Sequence, residues 1–186
     1  MSIAAAFAAD KETPFRAAPA ATYEHRQTNG KITIAVDSYQ PEEKMKTAFG
    51  KLKLNDYDIW PVLLVIQNDS DKSIRLDRMK VDLTGPSRNR VEATPARDVR
   101  YANGPGRPPV LVGPKGPVAG KPKKNPLDAW EIEGRAFAAQ VLPPGQSAYV
   151  FFYFHTESRS ATGVYVSGLY EAGSGNELFY FEISLR

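Results

Sequence analysis

The stretch IWPVLLVIQNDSDKSIRL (59–76) decides the fold. Its first eight residues are apolar without a break and rich in β-branched types. They are too few for a buried helix, so the run reads as a central strand covered on both faces. Pro61 brings no N–H to a ladder, and regular pairing is expected from Val62 onward. Asn68-Asp69-Ser70-Asp71 supplies the turn, because Asn and Asp side chains bond their own backbone and tolerate left-handed angles. Ile74 and Leu76 then resume the alternation of a strand with one buried face.

On the N-terminal side, Ile32, Ile34 and Val36 alternate with Thr33, Ala35 and Asp37, which marks a half-buried strand. PEEKMKTAFG (41–50) reads as a short helix that starts at Pro41, ends before Gly50 and shows Met45, Ala48 and Phe49 on one face. On the C-terminal side, Val81, Leu83, Val91 and Ala93 suggest further short strands. Asn125-Pro126-Leu127-Asp128 has the chemistry of a helix start, with Leu127, Trp130 and Ile132 expected on its buried side and Gly134 as its stop. Residues 137–142 read as a strand, and Pro143-Pro144-Gly145-Gln146 fits a type II turn with glycine where positive φ is needed. SAYVFFYFH (147–155), TGVYVSGLY (162–170) and ELFYFEISL (177–185) close the chain as three strands, the last two joined by a glycine-rich hairpin loop. Seven or more strands with few helices imply an all-β, mainly antiparallel sandwich, because two amphipathic sheets bury each other's apolar faces.

The 186 residues fit one domain, with 42% hydrophobic and 24% charged residues, values of a globular rather than a disordered chain. Net charge is +3, yet NGPGRPPVLVGPKGPVAGKPKKNP (103–126) alone contributes +5 through Arg107, Lys115, Lys121, Lys123 and Lys124. The remainder is −2, so the basic balance belongs to one segment, and specific nucleic-acid binding is not expected. That segment holds seven prolines and five glycines, and it reads as a long surface loop in which only Val110-Leu111-Val112 offers a brief edge strand. Its five cations are candidate contacts for a polyanion such as an envelope polymer or an anionic membrane surface, against the reading of a plain spacer.

No cysteine is present, which removes disulfides, zinc-thiolate sites and thiol nucleophiles. Residues 1–22 hold nine alanines, and Ala6-Phe7-Ala8 has the small-x-small form of a signal-peptidase site. Two readings stay open for this lead: the remnant of a signal peptide, or a disordered Ala/Pro-rich segment that adds little buried area. The folded domain is then 23–186, a monomer placed outside the cytoplasm, and no stretch has the apolar length of a membrane span.

Val62-Leu63-Leu64-Val65-Ile66-Gln67-Asn68-Asp69-Ser70, followed by Ile74-Arg75-Leu76, resembles a pattern of bacterial exported immunoglobulin-like domains of unknown function. Leu142-Pro143-Pro144-Gly145-Gln146-Ser147 leading into Val150-Phe151-Phe152-Tyr153-Phe154 is similar to their later half. The resemblance spans roughly 60–185 and implies an immunoglobulin-like β-sandwich and export. It carries over no functional residue.

Candidate chemistry is thin. The two histidines, His25 and His155, would have to serve any Ser-His-Asp triad, and no Gly-x-Ser-x-Gly elbow occurs. Gly116 to Pro122 fails as a phosphate loop, with three residues between its glycines and Pro122 where Ser or Thr is needed. Asp56/Asp58 and Asp69/Asp71 lie at opposite ends of a strand about 30 Å long, too far apart to share a calcium ion. Neither catalytic, cofactor nor metal residues are assigned. Ten of the 20 aromatic residues fall between Tyr149 and Phe181. Strands covered on both sides explain that density, and the alternative is an exposed aromatic face formed by Tyr149, Phe151 and Tyr153 for a glycan or a protein. The resulting expectation is a non-enzymatic binding or structural module for a protein or envelope polymer. Its rival is an enzyme or enzyme-inhibitor domain with a loop-built site near His155.

Overall fold

The computed structural model describes residues 15–102, 110–113, 116–119, 125–136, 139–156 and 160–185, the segments 110–113 and 116–119 by backbone alone. In chain order the elements are β1 (Arg26–Asn29), β2 (Ile32–Ser38), α1 (Glu42–Phe49), β3 (Ile59–Asn68), β4 (Ile74–Arg75), β5 (Lys80–Thr84) and β6 (Arg90–Glu92). They continue with β7 (Val110–Gly113), β8 (Gly116–Ala119), α2 (Trp130–Gly134), β9 (Val141–Leu142), β10 (Ser147–His155), β11 (Gly163–Ser167), β12 (Tyr170–Glu171) and β13 (Phe181–Ser184). Three 3₁₀ turns, Ala20–Thr22, Leu54–Tyr57 and Ala96–Tyr101, lie between them.

The first sheet has the order β1-β2-β3-β10 and the second β13-β11-β5-β6, all neighbours antiparallel. The chain leaves the first sheet after β3, returns to it at β10 and leaves it again at β11. That alternation between sheets is the Greek-key order of an immunoglobulin-like sandwich, with an extra edge strand, β6, on the second sheet. Both lateral seams are tied. Thr94 N donates to Tyr153 O at 2.7 Å on one side, and Glu182 N donates to Gln27 Oε1 at 2.8 Å on the other.

The central strand β3 explains its own sequence. Trp60, Val62, Leu64 and Ile66 face the second sheet, while Ile59, Leu63 and Val65 face a second apolar layer outside the first sheet. Pairing extends beyond the expected start at Val62, because Pro61 sits in register with Tyr153 and its carbonyl accepts the Tyr39 N–H at 3.0 Å. In β10, Val150, Phe152 and Phe154 point between the sheets, and Phe151 and Tyr153 point into the outer layer. That layer is closed by α1, by Leu127 and Ile132, and by the lead segment.

Here the expectation for the lead needs correcting: packing begins at Phe15, ahead of residue 23. The Phe15 ring meets Tyr39 and Tyr149 edge-on at 5.9 Å, lies 5.3 Å from the Phe151 ring, and has the Arg135 guanidinium 5.3 Å from its centroid. Ala20 is buried as well. Residues 1–14 lie outside the described residues. Phe15→Ala is therefore expected to cost about 2 kcal/mol and to lower the thermal midpoint by about 4–8 °C. A midpoint within 1 °C or so of the parent would show that the lead only rests on the sandwich.

Other differences are local. Of the expected strand over 137–142, residues 137 and 138 lie outside the described residues and 139–142 give the two-residue β9, while the segment 162–170 divides into β11 and β12. The break is at Gly168, whose φ is +75° and whose missing Cβ would lie 2.2 Å from the Arg78 carbonyl oxygen. Asn125 to Asp128 form a turn instead of the first helical turn, with Asn125 Oδ1 accepting the Leu127 N–H at 3.0 Å. The helix then begins at Trp130, which is 69% exposed and not on the buried side. Within the Pro/Gly stretch, β7 and β8 pair as a hairpin of their own, so Val110 to Val112 gain a ladder from residues 116–119 instead of docking on a sheet edge. The Pro-Pro-Gly-Gln turn forms as expected, with Gly145 at φ +70°.

One end of the sandwich is tied by a three-stranded miniature sheet of order β12-β4-β9. It joins the connections that follow β3, precede β10 and follow β11. Asn68, fully buried, sits under it. Its Nδ2 lies 2.8 Å from Lys72 O, 3.0 Å from Leu142 O and 3.1 Å from Pro143 O, and its Oδ1 accepts the Ser70 hydroxyl at 2.6 Å and the Ser70 N–H at 3.1 Å.

Candidate surface site on the second sheet

The expected aromatic face on β10 is not a face. Phe151 and Tyr153 are buried in the outer layer, and the Tyr153 hydroxyl donates to Ile132 O at 3.0 Å. Burial pushes the Tyr153 phenol above its usual range, an effect that Arg135 partly offsets. Tyr149 is 45% exposed, but its hydroxyl donates to Phe15 O at 3.0 Å, so it serves the lead segment. Alternation along β10 gave the two sides correctly. What it does not show is that a segment more than a hundred residues away covers one of them. The five cations Arg107, Lys115, Lys121, Lys123 and Lys124 lie outside the described residues.

The histidines do not assemble a catalytic group. His155 ends β10 in register with Ile59 and is exposed, and among the described residues its ring bonds no carboxylate. His25 lines a cleft with Asp37, Ser38, Lys44 and Trp60 at the same end of the sandwich. The polar groups there are taken by others: Asp37 accepts from Lys44 Nζ at 2.6 Å, and Ser38 Oγ accepts the Trp60 Nε1–H at 2.8 Å. A nucleophile–base pair needs hydrogen-bond contact that this arrangement does not make.

Exposed aromatic surface is instead found on the outer face of the second sheet. Register places Glu182, Tyr165, Asp82 and Glu92 in one row across β13, β11, β5 and β6. Inward neighbours Phe181, Val164, Val166, Val81 and Leu83 are buried, so the row faces outward by strand alternation. The Arg90 guanidinium reaches across β5 and lies 3.7 Å from the Tyr165 ring centroid. The other neighbour of that ring is Tyr180, stacked at 5.2 Å with 27° between the planes. The result is a continuous pile of guanidinium and two phenol rings running from β6 to the entry of β13. At its open end stands Tyr180, 53% exposed, and its chain neighbour Phe179 is 78% exposed, the highest exposure of any large apolar side chain described.

The sequence order here is Glu177-Leu178-Phe179-Tyr180-Phe181-Glu182, with Leu178 packing against the core and Phe181 buried. Two exposed rings are thus bracketed by two exposed carboxylates. Glu177 and Glu182 make no ion pair among the described residues. Glu171 nearby differs, since its hydrogen bonds to the Lys72 ammonium and the Ser174 hydroxyl hold its carboxyl below the usual range. No single stretch could reveal the pile, because Arg90, Tyr165 and Tyr180 meet only through strand pairing. The density of aromatics in the last strands was its only sequence signal.

Among the described residues, no helix is long and apolar enough to cross a membrane. No protein-family model matches the chain, and no curated protein does. Among solved structures, the chain is similar to MPT63, a secreted protein from Mycobacterium tuberculosis, at 12% identity and a TM-score of 0.37, over 84% of this chain and 89% of that one.

Proposed function

We propose that the protein is a non-enzymatic binding module of the extracytoplasmic space, with its contact surface on the outer face of the second sheet around Phe179 and Tyr180. One observation carries this reading: two large aromatic side chains are held out in solvent just before β13, one of them stacked on a ring of the neighbouring strand. A polar-rimmed aromatic patch of this kind marks an interaction site, because leaving such rings in water forfeits the burial that the rest of the core obtains. Placement outside the cytoplasm is supported by the small-x-small motif at Ala6-Phe7-Ala8.

The test is in-cell photo-cross-linking from a benzoylphenylalanine placed at position 179, with position 130 as the control. Trp130 is an equally large, 69% exposed aromatic on a different part of the molecule. A discrete adduct from 179 and none from 130 is the expected result. Adducts from both positions, or from neither, would overturn the proposal.

A further inference from the structure

We infer that this surface takes a cationic partner, an extended peptide segment bearing arginine or lysine whose charged head stacks on Tyr180 and Phe179 between Glu177 and Glu182; this rests on the contact surface proposed above. Two tyrosines near this surface already carry a cation of the same chain. Tyr165 carries Arg90 at 3.7 Å from its ring centroid, and Tyr170 carries Arg78 at 5.6 Å. Each ring face, negative by its quadrupole, is covered by a guanidinium from the same chain. Tyr180 has one face on Tyr165 and no cation on the other among the described residues, and Phe179 has neither a ring nor a cation partner there.

Charge points the same way. From Tyr170 to Leu185 the chain holds Glu171, Glu177 and Glu182 and not one lysine or arginine. Among the described residues, only Glu171 of these acids is neutralised, by Lys72 at 2.8 Å. Asp82 and Glu92 extend the row of carboxylates across the sheet, again without ion pairs among the described residues. An arriving guanidinium therefore finds exposed rings at positions 179 and 180, with carboxylates at 177 and 182 on either side of them in the chain, groups on which a planar cation can stack and fork. A neutral sugar could stack on the rings and donate its hydroxyls to the same carboxylates, but it would leave their charge uncompensated, so dependence on ligand charge and on salt separates the two.

The probe is the peptide acetyl-Gly-Arg-Gly-Arg-Gly-Arg-Gly-amide, titrated into the ¹⁵N-labelled full chain at 20 mM and 200 mM salt. Its citrulline counterpart keeps the shape and removes the charge. Expected are shifts centred on residues 177–182, an affinity that falls several-fold at the higher salt, and a citrulline peptide at least about tenfold weaker. Tyr180→Leu and the pair Glu177→Gln with Glu182→Gln are each expected to weaken binding at least about fivefold with the spectrum otherwise unchanged. Equal binding of the citrulline peptide overturns the inference, as does indifference to both variants. So does cellohexaose if it shifts the same residues while the arginine peptide does not. Cross-linking from 179 without arginine-peptide binding would leave the contact surface standing and remove only its cationic partner; loss of both would remove the surface itself.

Discussion

Replacing Asn68 by alanine is expected to remove about 3 kcal/mol of stability, more than any other polar substitution in the described residues. The side chain is fully buried and ties the turn after β3 to the segment that leads into β10. Its amide nitrogen has two hydrogens for three carbonyls, so one bond is shared, and its oxygen takes both donors of Ser70. The main chain of the same residue closes the turn before β10, donating to Gln146 O at 3.0 Å and accepting from Gly145 N at 2.7 Å. Removing the amide leaves the carbonyls of Leu142 and Pro143 facing a small void. Asn68→Asp discriminates this account from a simple cavity. Its carboxylate would face three carbonyl oxygens, which raises its folded-state pKa above the unfolded value of about 4. A raised pKa means the protonated form is the one the fold tolerates. The deficit relative to the parent should then be smallest below pH 4 and grow as pH rises toward 7. Urea unfolding of both proteins at pH 3.5 and 7 measures it, and a deficit independent of pH would mean that Nδ2 does not face those carbonyls.

How far the sequence carried the reading can be seen residue by residue. The unbroken apolar run 59–66 was enough to place β3 centrally with both faces covered, because no other environment accepts apolar side chains of both parities. Gly145 and the helix over Glu42–Phe49 were equally legible, being matters of local backbone chemistry. Phe151 and Tyr153 were not. Period two says which side chains share a face, and it is silent on what lies over that face. Phe15 supplies part of the cover, and nothing in an Ala/Pro-rich lead advertises a docking residue. Trp130 failed for a related reason: a helix of one turn has no periodicity to read. The surface site belongs to the same class, since the meeting of Arg90 with Tyr165 is a property of register across β5.

Phe154→Ala is expected to cost about 3–5 kcal/mol, and Phe152→Ala about half of that. Alternation sets both rings between the sheets together with Ala148 and Val150, and the structure places them in that core. They differ in depth. Phe154 is fully buried and pairs in register with Trp60, whereas Phe152, opposite Val62, keeps part of its ring in solvent. Transfer free energy scales with the area removed from water, and a cavity is costly only where neighbours cannot relax into it. At Phe154 those neighbours belong to two hydrogen-bonded sheets. Trp60 is further fixed by its indole N–H on Ser38, so the void cannot close cheaply. Next to Phe152 the sandwich opens toward Thr94 and Pro95, where side chains have room to follow the truncation. Denaturant unfolding of the two variants against the parent gives both numbers. If the order were reversed, or if Phe154→Ala cost under about 1 kcal/mol, the register of β10 against β3 would have to be shifted by one residue.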